Sequence, residues 1–327
     1  MFSTQSSLFN DIRYHQYYQQ FPNGHYNHTI NDFRKFPGIT NIFEFEKWFA
    51  RNFPRIMSLS NEYWHYSIYI SVIYLIIIQI LIRLMKSTTT NYGFQLKHQL
   101  IIWNLIMTIF SLIASIRCLP EFIFVLKNYG FIYSYTQNTY GKDIRLCIWY
   151  LFFTLSKVPE LIDTIFIVLR KRPLRKLHWI HHTLTLIYSW FVFGDVPSTA
   201  RWMVNMNLIV HTLMYSYYAL TSMGYRLPRP VNITLTSMQI IQMLFGFYIH
   251  LDCLRRKIFG QPCDVSLAVA ITGFSLYTLF FLMFLDFFIR TYLFKNKINK
   301  NDQRTKVSNN NNINESFNEL STEKKIS

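Results

Sequence analysis

The chain has 327 residues, of which 51% are hydrophobic, 18% aromatic and only 15% charged, and this is too apolar for an ordinary soluble domain. A net charge of +16 is typical of many nucleic-acid-binding proteins. Here, however, the basic residues cluster at the ends of apolar runs, as in 170–176, where five of seven positions are cationic and none is acidic. This distribution excludes nucleic acid as the expected partner and indicates a membrane protein.

Residues 1–60 are rich in Tyr, His, Asn and Gln, and they lack both a clear period and the apolar core of a signal peptide. We expect a polar, poorly ordered extension on the lumenal side, with the first apolar run acting as its own insertion signal. Asn27-His28-Thr29 matches the glycosylation sequon that such a location would expose.

Seven apolar runs follow, most of them close to the roughly 20 residues that a helix needs to cross a bilayer. They are 64–85, 100–116, 147–169, 176–193, 202–223, 233–251 and 267–294. Polar residues interrupt the third, fourth and fifth runs, so six or eight spans remain possible. The sequence predicts an all-α integral membrane protein with one membrane domain over 61–296 and a disordered tail over 297–327.

The basic loop 170–176 predicts the topology, because positive loops stay in the cytosol. The amino terminus is then lumenal and the tail cytosolic, although the basic stretch 254–260 falls on the wrong side. Lys324 and Lys325 stand four and three positions from the carboxyl end of the chain, as in the dilysine retrieval signal of endoplasmic-reticulum proteins. We therefore predict a multi-pass protein of that membrane.

Four cysteines, Cys118, Cys147, Cys253 and Cys263, fall near the lumenal ends of the runs. An oxidising lumen would permit bridges among them, and buried free thiols are an equally good interpretation. Their spacing fits no metal motif.

The third apolar run contains Lys157, Glu160 and Asp163 at spacings of three, so the three side chains share a helix face. Pro159 removes a backbone hydrogen bond and favours a kink. An ion pair within the helix explains the lysine and one acid. The second acid predicts a contact with another helix.

The fourth run carries His178, His181 and His182 in an H-x-x-H-H cluster. Ionisable residues at bilayer depth are rare, because a charged one costs about 2.5–3.5 kcal/mol on insertion scales, and those that occur usually line a cavity or proton path. A single buried histidine is often a packed core residue. Three in five positions indicate a chemical site instead.

The fifth and sixth runs add two further polar stripes at helical spacing. The stripes comprise Asn207, His211, Tyr215 and Tyr218 in one run and Thr236, Gln239 and Gln242 in the next. Hydrogen bonding between helices explains one or two such stripes. Stripes on four successive runs predict that the helices converge on an interior cavity.

Histidine clusters of this kind hold two metals in membrane desaturases and hydroxylases, which spread their ligands over several boxes. Here only His178, His181, His182 and His211 lie well inside the apolar runs. A metal-free role, with imidazole as nucleophile and proton carrier, fits this set better. We expect no metal and no cofactor, and a metal-dependent desaturase or hydroxylase is the alternative enzyme.

Four motifs occur in a fixed order: Lys157-x-Pro159-Glu160-x-x-Asp163-Thr164, His178-x-x-His181-His182, Asn207-x-x-x-His211-x-x-Met214-Tyr215-x-Tyr217-Tyr218, and Thr236-x-x-Gln239-x-x-Gln242. In this order and spacing the chain resembles the ELO family of fatty acid elongases over about residues 42–296. It is most similar to animal elongases of long-chain saturated and monounsaturated acyl-CoAs. A receptor or transporter with seven spans would explain the stripes but not the first two motifs together.

The resemblance implies seven helices, six of them ringed around a closed acyl tunnel. It implies a 3-ketoacyl-CoA synthase that condenses acyl-CoA with malonyl-CoA, releasing CO2 and CoA, by a ping-pong mechanism through an acyl-imidazole on His181. His211 would carry protons or position the substrate. Asn207, His178 and His182 would set the imidazole tautomers.

The resemblance also implies substrate contacts along the cavity and at its cytosolic mouth. The expected cavity contacts are Lys157, Glu160, Asp163, Tyr215, Tyr218, Gln239 and Gln242, and Arg170 and Lys171 would meet the phosphates of CoA. The membrane topology alone also requires a basic loop at that position. Expected partners are the two CoA substrates, membrane lipids and the reductases and dehydratase of the elongation cycle.

Overall fold

The computed structural model describes residues 43–87 and 92–294, and over these ranges the regular structure is helical throughout. The α-helices, in chain order, are α1 Glu44–Tyr63, α2 Tyr66–Ser87, α3 Lys97–Thr136, α4 Ile144–Ser156, α5 Ile162–Leu169, α6 Lys176–Phe193, α7 Ala200–Met223, α8 Arg229–Ile258 and α9 Leu267–Phe288. A short π-helix, Ile289–Phe294, continues α9. The sequon at Asn27 and the lysines at the carboxyl end lie outside the described residues.

Helix α1 differs from the expectation that residues 1–60 are poorly ordered, since residues 44–60 are helical. Its inner face carries Phe53, which is 4% exposed, while Trp48 on the outer face is 56% exposed. Glu46 is fully buried and accepts hydrogen bonds from Arg117 and Trp149. The segment packs as a helix despite its polar sequence, because the buried Glu46 carboxylate has partners on two other helices.

By length and composition, three helices among the described residues are long and apolar enough to cross a membrane: Tyr66–Ser87, Lys97–Thr136 and Leu267–Leu293. They make the chain a multi-pass membrane protein. The remaining helices carry the polar residues of the candidate site, which lowers their mean hydropathy. The four other predicted runs, 147–169, 176–193, 202–223 and 233–251, are not among these three helices, so the count of seven spans stays a prediction.

Helix α3 extends beyond the predicted apolar run 100–116. The charge of Arg117 ends the run in the sequence, but in the fold that charge is paired with Glu46, so the helix continues. The helix continues past Pro120 and is broken only at Gly130, whose φ of 84° is in the left-handed region. It packs along α7, where Arg201 pairs with its buried Glu121.

The third predicted run, 147–169, is two helices joined by a 3-10 turn over Pro159–Leu161. Helix α4 ends at Ser156 and α5 begins at Ile162, so the predicted effect of Pro159 is confirmed as a full break. Helix α6 has the bounds predicted for the fourth run. Together α1, α4, α6, α7, α8 and α9 surround a cavity.

All four cysteines are buried and unbridged. Cys118 and Cys147 belong to one buried cluster, around α4, and Cys253 and Cys263 belong to another, around α8 and α9. A bridge between the two clusters therefore has no support in this arrangement.

Candidate active site

An elongated cavity runs along the inside of the helices. Its histidine end is lined by Lys157, His181, Asn207 and Gln242, and its far end by Tyr140, Phe193 and Val196. On α6 the lining extends from His181 to Phe193, about 18 Å at 1.5 Å per helical residue. The wall between the two ends is predominantly apolar and aromatic.

Lys157 is the centre of a buried polar cluster at the histidine end. Its Nζ donates to Glu160 Oε1 at 2.7 Å and to Asn207 Oδ1 at 3.0 Å, and it lies 4.2 Å from the centroid of the Phe153 ring. The predicted pairing of Lys157 with Glu160 is confirmed. The break between α4 and α5 places this ammonium at a helix end, where it can turn toward α7.

Glu160 is 2% exposed and only partly satisfied. Its Oε1 also accepts from Ser156 Oγ at 3.2 Å and lies 3.7 Å from His211 Nδ1. Its Oε2 is buried and has no hydrogen-bond partner among the described residues. A carboxylate in this state has acceptor capacity left for a ligand.

His181 is the member of the H-x-x-H-H cluster that reaches the cavity wall. Its ring packs 4.9 Å from Phe280 and edge-on to His182 at 5.6 Å. His178 lies behind, 4.4 Å from the His182 ring, and its Nε2 is 3.0 Å from Thr164 Oγ1. One imidazole therefore faces the cavity while the other two connect it to α5.

Asp163 forms a second polar cluster, next to the cavity wall rather than on it. Its Oδ1 accepts from Trp103 Nε1 at 2.6 Å and its Oδ2 from the Tyr215 hydroxyl at 2.7 Å. The predicted contact of the second acid with another helix is confirmed, and two helices, α3 and α7, supply it. Tyr74 likewise reaches Thr164 at 2.7 Å from α2.

Several residues expected to contact substrate lie away from the cavity wall. Tyr218 is 44% exposed, Arg170 is exposed at the end of α5, and Gln239 donates to Met214 Sδ at 3.4 Å. Of the seven expected cavity contacts, Lys157 and Gln242 are the two that line it. The roles of the others, including Lys171, stay predictions.

Sequence reasoning did not identify Trp103 or Tyr74, which hold Asp163 and Thr164 from the two preceding helices. Isolated aromatic residues in an apolar run carry no signal of a polar contact, so nothing in the sequence marked them. Over the described ranges, no three His, Cys, Asp or Glu side chains are grouped so that they could hold a metal ion.

Residues 59–300 match the ELO family, described as the GNS1/SUR4 family. The chain belongs to the ELO family. It is similar to very long chain fatty acid elongase 6 of Drosophila melanogaster, with 38% identity over 79% of this chain and 81% of the relative. Putative fatty acid elongase 3 of Caenorhabditis elegans is 39% identical over 72% of this chain and 73% of its own length.

A human relative, very long chain fatty acid elongase 3, is 35% identical over 71% of this chain and 84% of its own length. The resemblance drawn from the four ordered motifs is confirmed, and it places this ELO-family chain in fatty acid elongation. The desaturase and receptor alternatives lose their basis, since the matched segment spans the whole range from Lys157 to Gln242.

Proposed function

We propose that this ELO-family protein is a 3-ketoacyl-CoA synthase that condenses a long-chain acyl-CoA with malonyl-CoA through an acyl-imidazole on His181. The observation that carries the proposal is the position of His181 at one end of an apolar cavity, beside the Lys157–Asn207 contact. An acyl chain would lie along the cavity with its thioester at the histidine end.

In the first half-reaction, a ring nitrogen of His181 attacks the thioester carbonyl carbon. The carbon–sulfur bond breaks as the carbon–nitrogen bond forms, and the imidazole proton leaves with CoA as its thiol. Imidazole is a competent nucleophile near neutral pH without further activation. The Lys157 ammonium, held by Glu160 and Asn207, would stabilise the oxyanion of the tetrahedral intermediate.

In the second half-reaction, malonyl-CoA loses CO2, and the carbanion that remains attacks the acyl carbon on His181. The carbon–nitrogen bond breaks, 3-ketoacyl-CoA leaves, and the imidazole takes up one proton. His211, which contacts the Glu160 carboxylate from α7, would carry that proton or position the malonyl group. An apolar cavity protects the acyl-imidazole from hydrolysis.

The wider arrangement belongs to the same proposal. Six of seven membrane helices would ring a closed acyl tunnel, and the basic residues of 170–176 would bind the CoA phosphates at its mouth. The reductases and dehydratase of the elongation cycle would act on the product. Arg170 is exposed, as such a contact requires.

Intact-mass measurement of the purified full chain tests the acyl-enzyme. Incubation with palmitoyl-CoA alone should add the mass of one acyl group to the wild type and nothing to His181→Ala. His98→Ala, which changes an exposed histidine outside the site, should behave as the wild type. Turnover of acyl-CoA and radiolabelled malonyl-CoA by His181→Ala at the wild-type rate would contradict the covalent mechanism.

The proposed reaction needs no resident metal or cofactor, because imidazole supplies both the nucleophile and the proton. Turnover should therefore be unchanged after treatment with a chelator. Loss of turnover that added iron restores would contradict this part of the proposal.

We place the protein in the endoplasmic reticulum membrane with its amino terminus in the lumen and its tail in the cytosol. The Lys324/Lys325 pair would then be read as a retrieval signal. Replacing both lysines with Ser should let part of the protein reach later compartments, visible as glycan processing at Asn27. Lumenal labelling of a tag after Ser327 would overturn the topology.

A further inference from the structure

Helix α1 is held to the rest of the protein by a buried charge. Glu46 is fully buried, and both of its carboxylate oxygens accept from Arg117 of α3, at 2.5 and 2.6 Å. Trp149 of α4 donates a third hydrogen bond, at 2.8 Å. Moving α1 away would break this pair and leave an uncompensated buried charge, which is costly. The pair therefore fixes the position of α1.

This anchor brings the inner face of α1 to the cavity. Phe53 and Met57, four residues apart and therefore on one helix face, both line the cavity. Phe53 is 4% exposed and belongs to the buried cluster that includes Phe193 and Val196, at the far end. The part of α1 that carries Phe53 and Met57 precedes the segment 59–300 matched to the family, and it completes the far end of the cavity wall.

The carboxyl end of α1 is fitted against α6 as well. The Asn61 side chain fills the space beside Gly194, where any Cβ would collide with it. The Trp64 ring, just after the helix, packs edge-on to Phe191 at 5.1 Å. Because both ends of α1 are held by these contacts, we expect that a longer ligand in the cavity does not displace the helix.

We infer that α1 sets the acyl chain length of this protein, with Phe53 and Met57 as the residues that stop the terminal carbons of the chain. The inference rests on the proposed function, in which the thioester lies at His181 and the chain points away from it. An alkyl chain gains affinity with every methylene it buries, until it meets a side chain that does not move.

Enlarging the far end should move the preference to longer chains. The full chain, purified in detergent, is assayed with malonyl-CoA and saturated acyl-CoAs that increase by two carbons. We expect Phe53→Ala to raise kcat/KM for the first acyl-CoA too long for the wild type by about tenfold or more. Tenfold is what the burial of about two additional methylenes contributes. For shorter acyl-CoAs, kcat/KM of Phe53→Ala should differ from that of the wild type by less than about threefold.

Two further variants keep the test decisive if Phe53→Ala does not fold. Phe53→Leu should shift the profile in the same direction by a smaller amount. Met57→Phe should shift it toward shorter chains. Trp48→Ala, on the exposed face of α1, is the matched control and should leave the profile unchanged.

The outcomes separate the two proposals. If the wild type elongates acyl-CoA but the Phe53 and Met57 variants keep its chain-length profile, the role of α1 is wrong and the proposed function stands. An equal shift in Trp48→Ala would also overturn the role of α1, because it would reflect general loosening. If the wild type forms no 3-ketoacyl product, the proposed function itself fails.

Discussion

The two ends of the cavity each have a buried ion pair, and the two pairs are satisfied to different degrees. Beside the far end, Arg201 donates to both oxygens of Glu121, to the carbonyls of Ser134 and Gln137 and to the Thr139 hydroxyl. Both charged side chains have no exposure at all. Every nitrogen of this guanidinium has an acceptor, as in a purely structural contact.

The histidine end is less complete. Lys157 is paired with Glu160, but Glu160 Oε2 has no partner in the part of the chain that the structure describes, and His211 stands 3.7 Å from the other oxygen. Buried polar groups are usually satisfied, and a catalytic role is one explanation for an exception. Under the proposed function, the fully satisfied pair stabilises the fold and the incomplete pair is the one that serves the reaction.

The largest expected effect is on stability at the far end. Arg201→Leu leaves Glu121 buried without its cation, and the free energy of unfolding should fall by about 3–5 kcal/mol. Thermal and denaturant unfolding of the purified protein measure this. Arg290→Leu, which removes an exposed pair with Asp286, is the matched control and should cost less than about 1 kcal/mol.

A double variant then tests whether the far pair is only structural. Arg201→Leu combined with Glu121→Leu removes both charges and should recover part of the lost stability. If the double variant folds but lacks condensation activity, the Arg201–Glu121 pair is not only structural, and the assignment of different roles to the two ion pairs is wrong.

At the histidine end, activity should be lost before stability. Glu160→Gln keeps the shape but removes the charge that holds Lys157 and faces His211, so kcat should fall by about 10²–10³-fold, as when one preorganised electrostatic group is lost. Turnover with radiolabelled malonyl-CoA measures it, and Glu62→Gln, on an exposed carboxylate of α1, is the control. Wild-type kcat in Glu160→Gln would make this pair structural too.

His211→Ala should lower kcat by at least about 10²-fold, the lower end of what a positioned acid–base group contributes. The unfolding midpoint of the variant, measured on the same preparation, separates the two interpretations of the polar stripe on α7. A variant that unfolds but keeps its activity per folded molecule would make His211 a packing residue.

The part of the site that the sequence predicts is the part determined by helical spacing. Lys157 and Glu160 pair because residues three apart share a face, and α6 has its predicted bounds because its apolar run begins after a basic loop and ends before Gly194. The first two of the four motifs that carry the family resemblance lie in these segments, and the other two follow the same helical spacing in α7 and α8.

The part that could not be predicted depends on contacts between distant segments. Helix α1 looks too polar to be ordered until Glu46 is seen to meet Arg117, 71 residues away. Of the stripe on α7, His211 and Tyr215 are buried, but Tyr218 is exposed, because a periodicity of three and four does not say where the stripe leaves the interior.

That difference between two neighbouring tyrosines supports the smallest predicted effect. Tyr215 is 1% exposed and its hydroxyl donates to Asp163 Oδ2 at 2.7 Å, so Tyr215→Phe removes a donor from a half-buried carboxylate. The free energy of unfolding should fall by about 1–3 kcal/mol. Tyr218→Phe changes an exposed side chain and should stay within about 0.5 kcal/mol of the wild type. Equal losses in the two variants would mean that the Asp163 cluster contributes nothing specific to stability. A loss in Tyr218→Phe of kcat/KM alone would restore Tyr218 as a substrate contact.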